Sequence, residues 1–450
     1  MPMTTINIRR FAGVQNGQTI KHWYLDDPKI GIISETKKTK IKVRGWVVLQ
    51  RGHVLEYILI KQEERVLQFK LSEKRADVAR RFESLGAPND APVLCGFNFE
   101  VEFSKFRIGF QTSNGITWGA SIEAVTTLKV ERGRDGWLFL SNDTNKSMEQ
   151  YTGRRLLDDN ELSLWENYFS LTRKLSEEHS FKHCFLLAPA KEFCLEDFYP
   201  ATRGAYIAID QFLMHFAKKN TIVWPRDQLL RDKELTYWKG DTHWSDYGGY
   251  VAAMVVLEKL GLKPKAEVPP VSYSIVRRSG DLGGKLSPPE TFAVPTAEFS
   301  QVTTNLVFDN TIHNHGRIRI YEESSPIYPE QSCVCFGDSF SVNMIPWLIP
   351  YFNRLVYVHS AAAFDREVLE YETPTHVIFQ TNSRFIITPP HASGNLRESV
   401  LLKLKLLTFD KRQAFVKELE KQRSRNTKNT YYYDFMLSIL NSISSNLADA

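Results

Sequence analysis

Hydrophobic residues alternate with polar ones through much of the first quarter of the chain. Ile41, Val43, Gly45, Val47 and Leu49 form one two-residue repeat, and Val54 to Ile60 follows as a second apolar run. Phe97, Phe99, Val101 and Phe103 alternate with Asn98, Glu100 and Glu102; after a short break at Ser104-Lys105, Phe106, Ile108 and Phe110 alternate again. A period of two sends every second side chain to one face of a strand, so each segment predicts a strand with one buried face. Two such strands joined so tightly suggest a β-sandwich, placed at residues 1–128.

The period changes after Arg132. Gly133 to Leu140 reads as a turn leading into a strand. Leu162, Trp165, Phe169 and Leu175 share a face of a helix predicted over 158–175, with Asp158 or Asp159 near its start. Strands are predicted at 183–189, 332–336 and 376–380, and helices at 207–218 and 250–260. Strands alternating with helices imply an α/β domain over 129–392, a largely parallel sheet covered on both faces. Beyond about Pro390 the chain turns helical and basic, and between Arg397 and Lys428 ten Lys or Arg stand against four acids. A solvated helix face that packs its leucines on the domain explains this excess; contact with a partner or an anionic membrane surface is the competing reading for the 393–450 extension.

At 450 residues the chain has material for two domains and an appendage. Its 57 basic and 52 acidic residues leave a net charge of +5, too balanced for nucleic acid to be the main partner. Met1 to Arg10 contains no apolar core of secretory length, and runs such as Tyr250 to Leu257 are too short to span a bilayer. Cys95, Cys184, Cys194, Cys333 and Cys335 are an odd set in largely apolar stretches, without zinc-like spacing. These features place the chain in the cytoplasm, at most peripheral to an inner membrane.

Two segments carry the candidate chemistry. Gly337-Asp338-Ser339-Phe340 follows the 332–336 strand, and a helix is predicted just after it, so Ser339 stands clear of the sheet beside the N–H groups of a helix start. The bland alternative makes Ser339 a helix cap. Asp241-Thr242-His243-Trp244 lies between Gly240 and Gly248-Gly249. In an extended segment Asp241 and His243 project to the same side, so the carboxylate can hold one ring nitrogen's proton and leave the other nitrogen for Ser339. Half of a metal site is the alternative, but no second ligand cluster stands nearby, and no metal is expected. A serine hydroxyl, an imidazole and a carboxylate are the minimal set for acyl-ester chemistry. Two segments are candidates to bind an oxyanion or substrate: Gly283 and Gly284 in the turn Gly280-Asp281-Leu282-Gly283-Gly284, and Asn382 with Arg384 at a strand's carboxyl end. Trp244 reads as a packing residue.

Gly133 to Leu140, Gln150 to Gly153, Lys191 after Ala188-Pro189, Asp241 to Ser245 with Gly248, Gly280-Asp281-Leu282 and Gly337 to Phe340 come in an order that resembles the alginate O-acetyltransferase-related, SGNH-type family. The resemblance covers about residues 129–390. Its distinctive sign is Asp-x-His ahead of Gly-Asp-Ser; ordinary SGNH esterases begin with the serine and end with Asp-x-x-His. It implies an SGNH-hydrolase-like three-layer fold, with Ser339 as nucleophile, His243 as general base and acid, and Asp241 as its orienting carboxylate. The implied reaction is acetyl transfer through acetyl-serine onto a hydroxyl of a bacterial surface glycan or its precursor. With no leader read at the N-terminus, acetyl-CoA is the expected donor, used without a bound cofactor. A carbohydrate acetylesterase and a non-catalytic glycan-binding assembly subunit are the rival readings. The β-domain either supports the catalytic domain or binds carbohydrate, with Trp23, Trp46 and Trp118 as its available aromatic platform.

Overall fold

Cys184 to Ala188 are buried in succession, none more than 2% exposed, and a strand can bury consecutive residues only when both of its faces are covered. The computed structural model describes residues 4–10, 19–28, 31–33, 40–62, 65–84, 93–102, 105–126, 129–141, 143–265, 272–286, 288–299, 305–390, 396–405, 407, 409–425 and 429–448. Phe103, Ser104 and Lys428, used above, lie outside them. The chain divides into two compact units, Met1–Lys129 and Val130–Ala450.

The Lys182–Ala188 strand lies in the seven-stranded sheet of the second unit. Its order is Ile222–Val223, Lys182–Ala188, His376–Asn382, Tyr328–Gly337, Phe352–His359, Ile318–Glu322, Leu306–Asp309. The first five strands run parallel, as strand–helix alternation predicts. Ile318–Glu322 and Leu306–Asp309 add an antiparallel edge, and a separate hairpin pairs Ser272–Arg278 with Phe292–Glu298; neither was visible in the alternation.

The Asp159–His179 helix begins on a capping box: the Asp158 carboxylate accepts the Glu161 N–H at 2.8 Å, and Glu161 accepts the Asp158 N–H at 3.0 Å. Trp165 and Phe169 pack edge to face on Phe185 of the sheet, and the Trp165 indole N–H donates to the Ile386 carbonyl at 2.7 Å, so burial leaves no orphan donor.

The helix expected at 250–260 starts four residues earlier, spanning Asp246–Lys259 with Ser245 as its cap. Gly248 and Gly249 therefore lie inside the helix and do not end the loop before it. Their role is close approach: a Cβ on Gly249 would stand 2.2 Å from the Asn343 carbonyl oxygen of the Ser341–Leu348 helix.

In the first unit a six-stranded and a four-stranded sheet, both antiparallel, share one core. Leu94–Glu102 belongs to the smaller sheet and Phe106–Thr112 to the larger, so the short break between the two alternating runs carries the chain from one sheet to the other. Phe97 and Val101 meet Phe106, Ile108 and Phe110 in that core, as a β-sandwich requires. Trp23 is buried in the same core, and Trp46 packs with Val48, Val78 and Cys95; neither offers a ring face as an exposed platform.

The tail helices Leu396–Lys405, Phe409–Arg425 and Thr430–Ala448 bury Val400, Leu404, Leu419, Tyr432, Tyr433 and Met436 in the core of the second unit. Arg354 ties the tail to the sheet through Glu322, Glu372 and the Asn429 side chain. Among the described residues no helix is long and apolar enough to cross a membrane.

Helix propensity alone favours Gly249→Ala by up to ~1 kcal/mol. The 2.2 Å approach reverses that sign, because forcing atoms into a packed core costs about 1–3 kcal/mol. Gly249→Ala is expected to lower the urea midpoint of unfolding; a raised midpoint would refute the close-packing role.

Candidate active site

The Ser339 loop leaves the carboxyl end of the Tyr328–Gly337 strand and is bolted to the neighbouring His376–Asn382 strand by buried polar groups. The Asp338 N–H donates to Gln380 Oε1 at 2.8 Å, and Gln380 Nε2 donates back to Asp338 Oδ1 at 2.8 Å. The Ser341 hydroxyl donates to the same Gln380 oxygen at 2.6 Å. Asp338 further accepts the N–H groups of Phe340 and Asn382, each at 2.8 Å. Burial pushes the Asp338 carboxyl up, and the hydrogen bonds from Gln380 and Phe340 oppose that shift.

Ser339 is thereby held before the first turn of the Ser341–Leu348 helix, and its hydroxyl does not cap that helix. It lies 2.7 Å from His243 Nε2. The N–H groups of the helix start are already committed: Phe340 to Asp338 Oδ1, Ser341 to the Asp338 carbonyl, Val342 to the Ser339 carbonyl. The Ser339 N–H has no such partner among the described residues.

The second loop brings Asp241 and His243. His243 Nδ1 stands 2.6 Å from Asp241 Oδ1, which also accepts the His243 N–H at 2.9 Å. Asp241 Oδ2 accepts the Asp281 N–H at 2.9 Å. Burial pushes the Asp241 carboxyl up, but the His243 hydrogen bond and charge and the backbone donors outweigh it and hold this group well below the ordinary carboxylate range. The result is a chain of hydrogen bonds from carboxylate to imidazole to hydroxyl, in which the imidazole can take the hydroxyl's proton while the carboxylate fixes its tautomer.

Three side chains that the sequence reading did not single out for this role shape that loop. Lys191, 2% exposed, aims its ammonium at the carbonyls of Leu138, Trp238, Lys239 and Asp241 at 2.7 to 3.0 Å. Burial pulls its pKa down to about 7 against the raising influence of Asp241 and Asp281. Asp281 accepts the Thr242 N–H and hydroxyl, both at 2.7 Å. Trp244 donates its indole N–H to the Phe340 carbonyl at 2.8 Å, joining the histidine loop to the serine loop, so its packing role also sets the site. The available signal was the position of Lys191 just after Ala188-Pro189 and of Asp281 between glycines; the glycines drew attention away from the acid.

The other predicted site residues are placed differently from the triad. The Gly283 N–H donates to the Gly240 carbonyl and the Gly284 N–H to the Gly280 carbonyl, so this turn clasps the Asp241 loop and its amides are not free for an oxyanion. The Asn382 side chain accepts the Arg384 N–H at 3.1 Å and donates to the Ala188 carbonyl at 3.2 Å; it shapes the strand end. Arg384 stacks on Phe385, and its buried Nε has no partner. With Ser147, Lys191, Glu192, Thr242 and Leu282 it lines a small cavity. Burial pushes the Glu192 carboxyl in that cavity up to about 7. Asp241, His243 and Asp281 are near enough to share a cation, yet all four carboxylate oxygens already accept protein N–H or O–H groups.

The parallel-sheet α/β unit carries a hydrogen-bonded Ser, His and Asp at its strand ends, and the fold is SGNH hydrolase-like. Residues 130–309 match the family model "SGNH hydrolase-like domain, acetyltransferase AlgX", in line with the resemblance read from the motifs. The matched segment contains Asp241, His243 and Asp281 and ends before Ser339. Among solved structures, Bacillus cereus PatB1 is 14% identical over 60% of this chain and 99% of its own, with a TM-score of 0.43. The O-acetyltransferase domain of Pseudomonas putida AlgJ is 16% identical over 61% and 98%, TM-score 0.40. Pseudomonas aeruginosa AlgX is 14% identical over 57% and 62%, TM-score 0.38. No curated protein matches the chain. The match corrects the expectation of acetyl-CoA as donor: the AlgX-type acetyltransferase family gives that donor no support. It likewise lends no support to a cytoplasmic setting.

Replacing Lys191 by Met leaves buried carbonyls without their donor, and the expected loss of stability is about 3 kcal/mol by denaturant titration. A loss within error of zero would mean that the carbonyls find other partners. The lowered Asp241 pKa contributes stability that is complete above its ordinary value of 3.8 and is lost as pH falls toward the lower folded value. Asp241→Asn is therefore expected to flatten the acid side of a plot of melting temperature against pH, and an unaltered slope would contradict that linkage.

Proposed function

We propose that this protein is a serine-dependent O-acetyltransferase that moves an acetyl group onto a carbohydrate hydroxyl. The observation that carries the reading is the continuous hydrogen-bonded path from Asp241 through His243 to Ser339, at 2.6 and 2.7 Å; the acetyltransferase family match over residues 130–309 supports the acyl group.

In this reading His243 Nε2 removes the Ser339 proton as Oγ attacks the acetyl carbonyl of an ester donor. The Ser339 N–H, unpartnered in the loop, donates to the developing oxyanion. As the tetrahedral intermediate collapses, the C–O bond to the donor's alcohol breaks and the imidazolium returns the proton to that oxygen, leaving acetyl on Ser339. A sugar hydroxyl then gives its proton to His243, attacks the acetyl-serine and departs as the acetylated sugar, while Ser339 regains its proton. Asp241 keeps Nδ1–H directed inward and stabilises the imidazolium in both halves. Arg384, whose buried Nε has no partner and which lines the adjoining cavity, is the contact assigned to a polar or anionic group of donor or acceptor. The acceptor in this reading is a bacterial surface glycan or its precursor.

The test uses 4-nitrophenyl acetate as donor and a mixture of oligosaccharides as acceptor, followed by mass spectrometry. Acetyl is expected on Ser339 in the intact protein and then on the sugar; free acetate with no acetylated sugar would point to an esterase. Removing a nucleophile or base of this kind costs roughly 10³-fold or more in kcat, and both Ser339→Ala and His243→Ala are expected to fall at least that far. Full activity in either variant would end this assignment.

A further inference from the structure

Ser339 donates its oxyanion-binding N–H from the Asp338–Ser339 peptide, and the other end of that peptide is tied down by a residue outside the triad. The Tyr357 hydroxyl, on the adjacent Phe352–His359 strand, lies 2.8 Å from the Asp338 carbonyl oxygen and 3.0 Å from His359 Nδ1. The tyrosine is 1% exposed. A carbonyl cannot donate, so the single hydroxyl proton lies on the bond to Asp338, and the tyrosine oxygen accepts Nδ1–H from His359. The Asp338 carbonyl also accepts the Ser341 N–H at 3.1 Å.

In a trans peptide the N–H points away from the C=O. Two donors on the Asp338 oxygen therefore fix the direction of the Ser339 N–H. They also draw electron density toward the oxygen and make the N–H a stronger donor, and a hydrogen-bonded chain in a dry interior reinforces this effect. Trp244, which bonds the Phe340 carbonyl, and Gln380, which bonds the Asp338 side chain and N–H, hold the loop but do not touch this carbonyl.

We propose that Tyr357, backed by His359, is a positioning residue that orients and polarises the Asp338–Ser339 peptide for oxyanion binding. The inference rests on the acetyl-serine reading above. It goes beyond that reading in assigning catalytic consequence to a side chain that touches neither substrate nor triad.

Tyr357→Phe removes one oxygen and leaves the Asp338 carbonyl its bond from Ser341, and its melting temperature is expected to stay close to that of the unchanged protein. With 4-nitrophenyl acetate, kcat is expected to fall roughly tenfold with KM unchanged. Affinity for a methylboronic acid, whose tetrahedral adduct on Ser339 puts an oxygen in the oxyanion position, is expected to fall by a similar factor. His359→Gln, which acts one bond further out, is expected to show a smaller drop in kcat, also without a KM change. Ser339→Ala is measured in parallel. If Ser339→Ala keeps its activity, the acetyl-serine reading itself falls. If Ser339 is required but Tyr357→Phe and His359→Gln both keep kcat and boronate affinity, the relay alone is overturned. A Tyr357→Phe protein that loses melting temperature and changes KM and kcat together would also overturn it, leaving a packing role.

Discussion

The site depends on a buried carboxylate and a buried amide. Asp338 and Gln380 exchange hydrogen bonds across the carboxyl ends of neighbouring parallel strands, in a place where an unpaired polar group would cost about 1–3 kcal/mol. That penalty is what gives the pair its authority over geometry. The arrangement satisfies both Gln380 polar atoms, both Asp338 carboxylate oxygens and the N–H groups of Asp338, Phe340 and Asn382, and in it the Ser339 hydroxyl meets the imidazole. Ser339 is held in place by the avoidance of unsatisfied polar groups, with apolar packing supplying the dry surroundings that make the avoidance strict.

The histidine loop obeys the same logic with a different anchor. A lone buried ammonium is expensive, and Lys191 meets that cost by collecting the backbone carbonyl of Leu138 and those of Trp238, Lys239 and Asp241. Asp281 and the Gly280 turn close the loop from the other side. The two loops are then joined by the Trp244 indole N–H on the Phe340 carbonyl and by the contact of His243 with Ser339. Each of these contacts converts a flexible connection into one with a single low-energy geometry, as a site needs when atoms must stay within hydrogen-bond reach without substrate.

The meeting of Ser339, His243 and Asp241 was legible because these residue types are few and their positions lie at the ends of strongly patterned elements. Ser339 followed an apolar strand, and Asp241 and His243 stood two apart between glycines. The oxyanion residues were not legible, since a Gly-rich turn and a strand-end Asn look alike whether their N–H groups face a ligand or are already bonded. Gly283, Gly284 and Asn382 turned out to be bonded inward. The helix boundary at Gly248-Gly249 was misread for a related reason: glycine marks both the end of a helix and the point where a second backbone comes close, and only the Asn343 carbonyl distinguishes the two cases.

The sequence by itself determined the period of each element, and hence a β-sandwich followed by an α/β unit, because side-chain alternation depends on nothing beyond the local backbone. It also determined which residue types could do acyl chemistry. Tertiary structure decided which of them meet. Ser339 and His243 are 96 residues apart, and Lys191, Asp281, Tyr357 and Gln380 come from four further segments, so no local pattern could record their contacts. The physical reason is that buried hydrogen bonds are short and directional, and their partners are chosen only when the strands align and water is excluded.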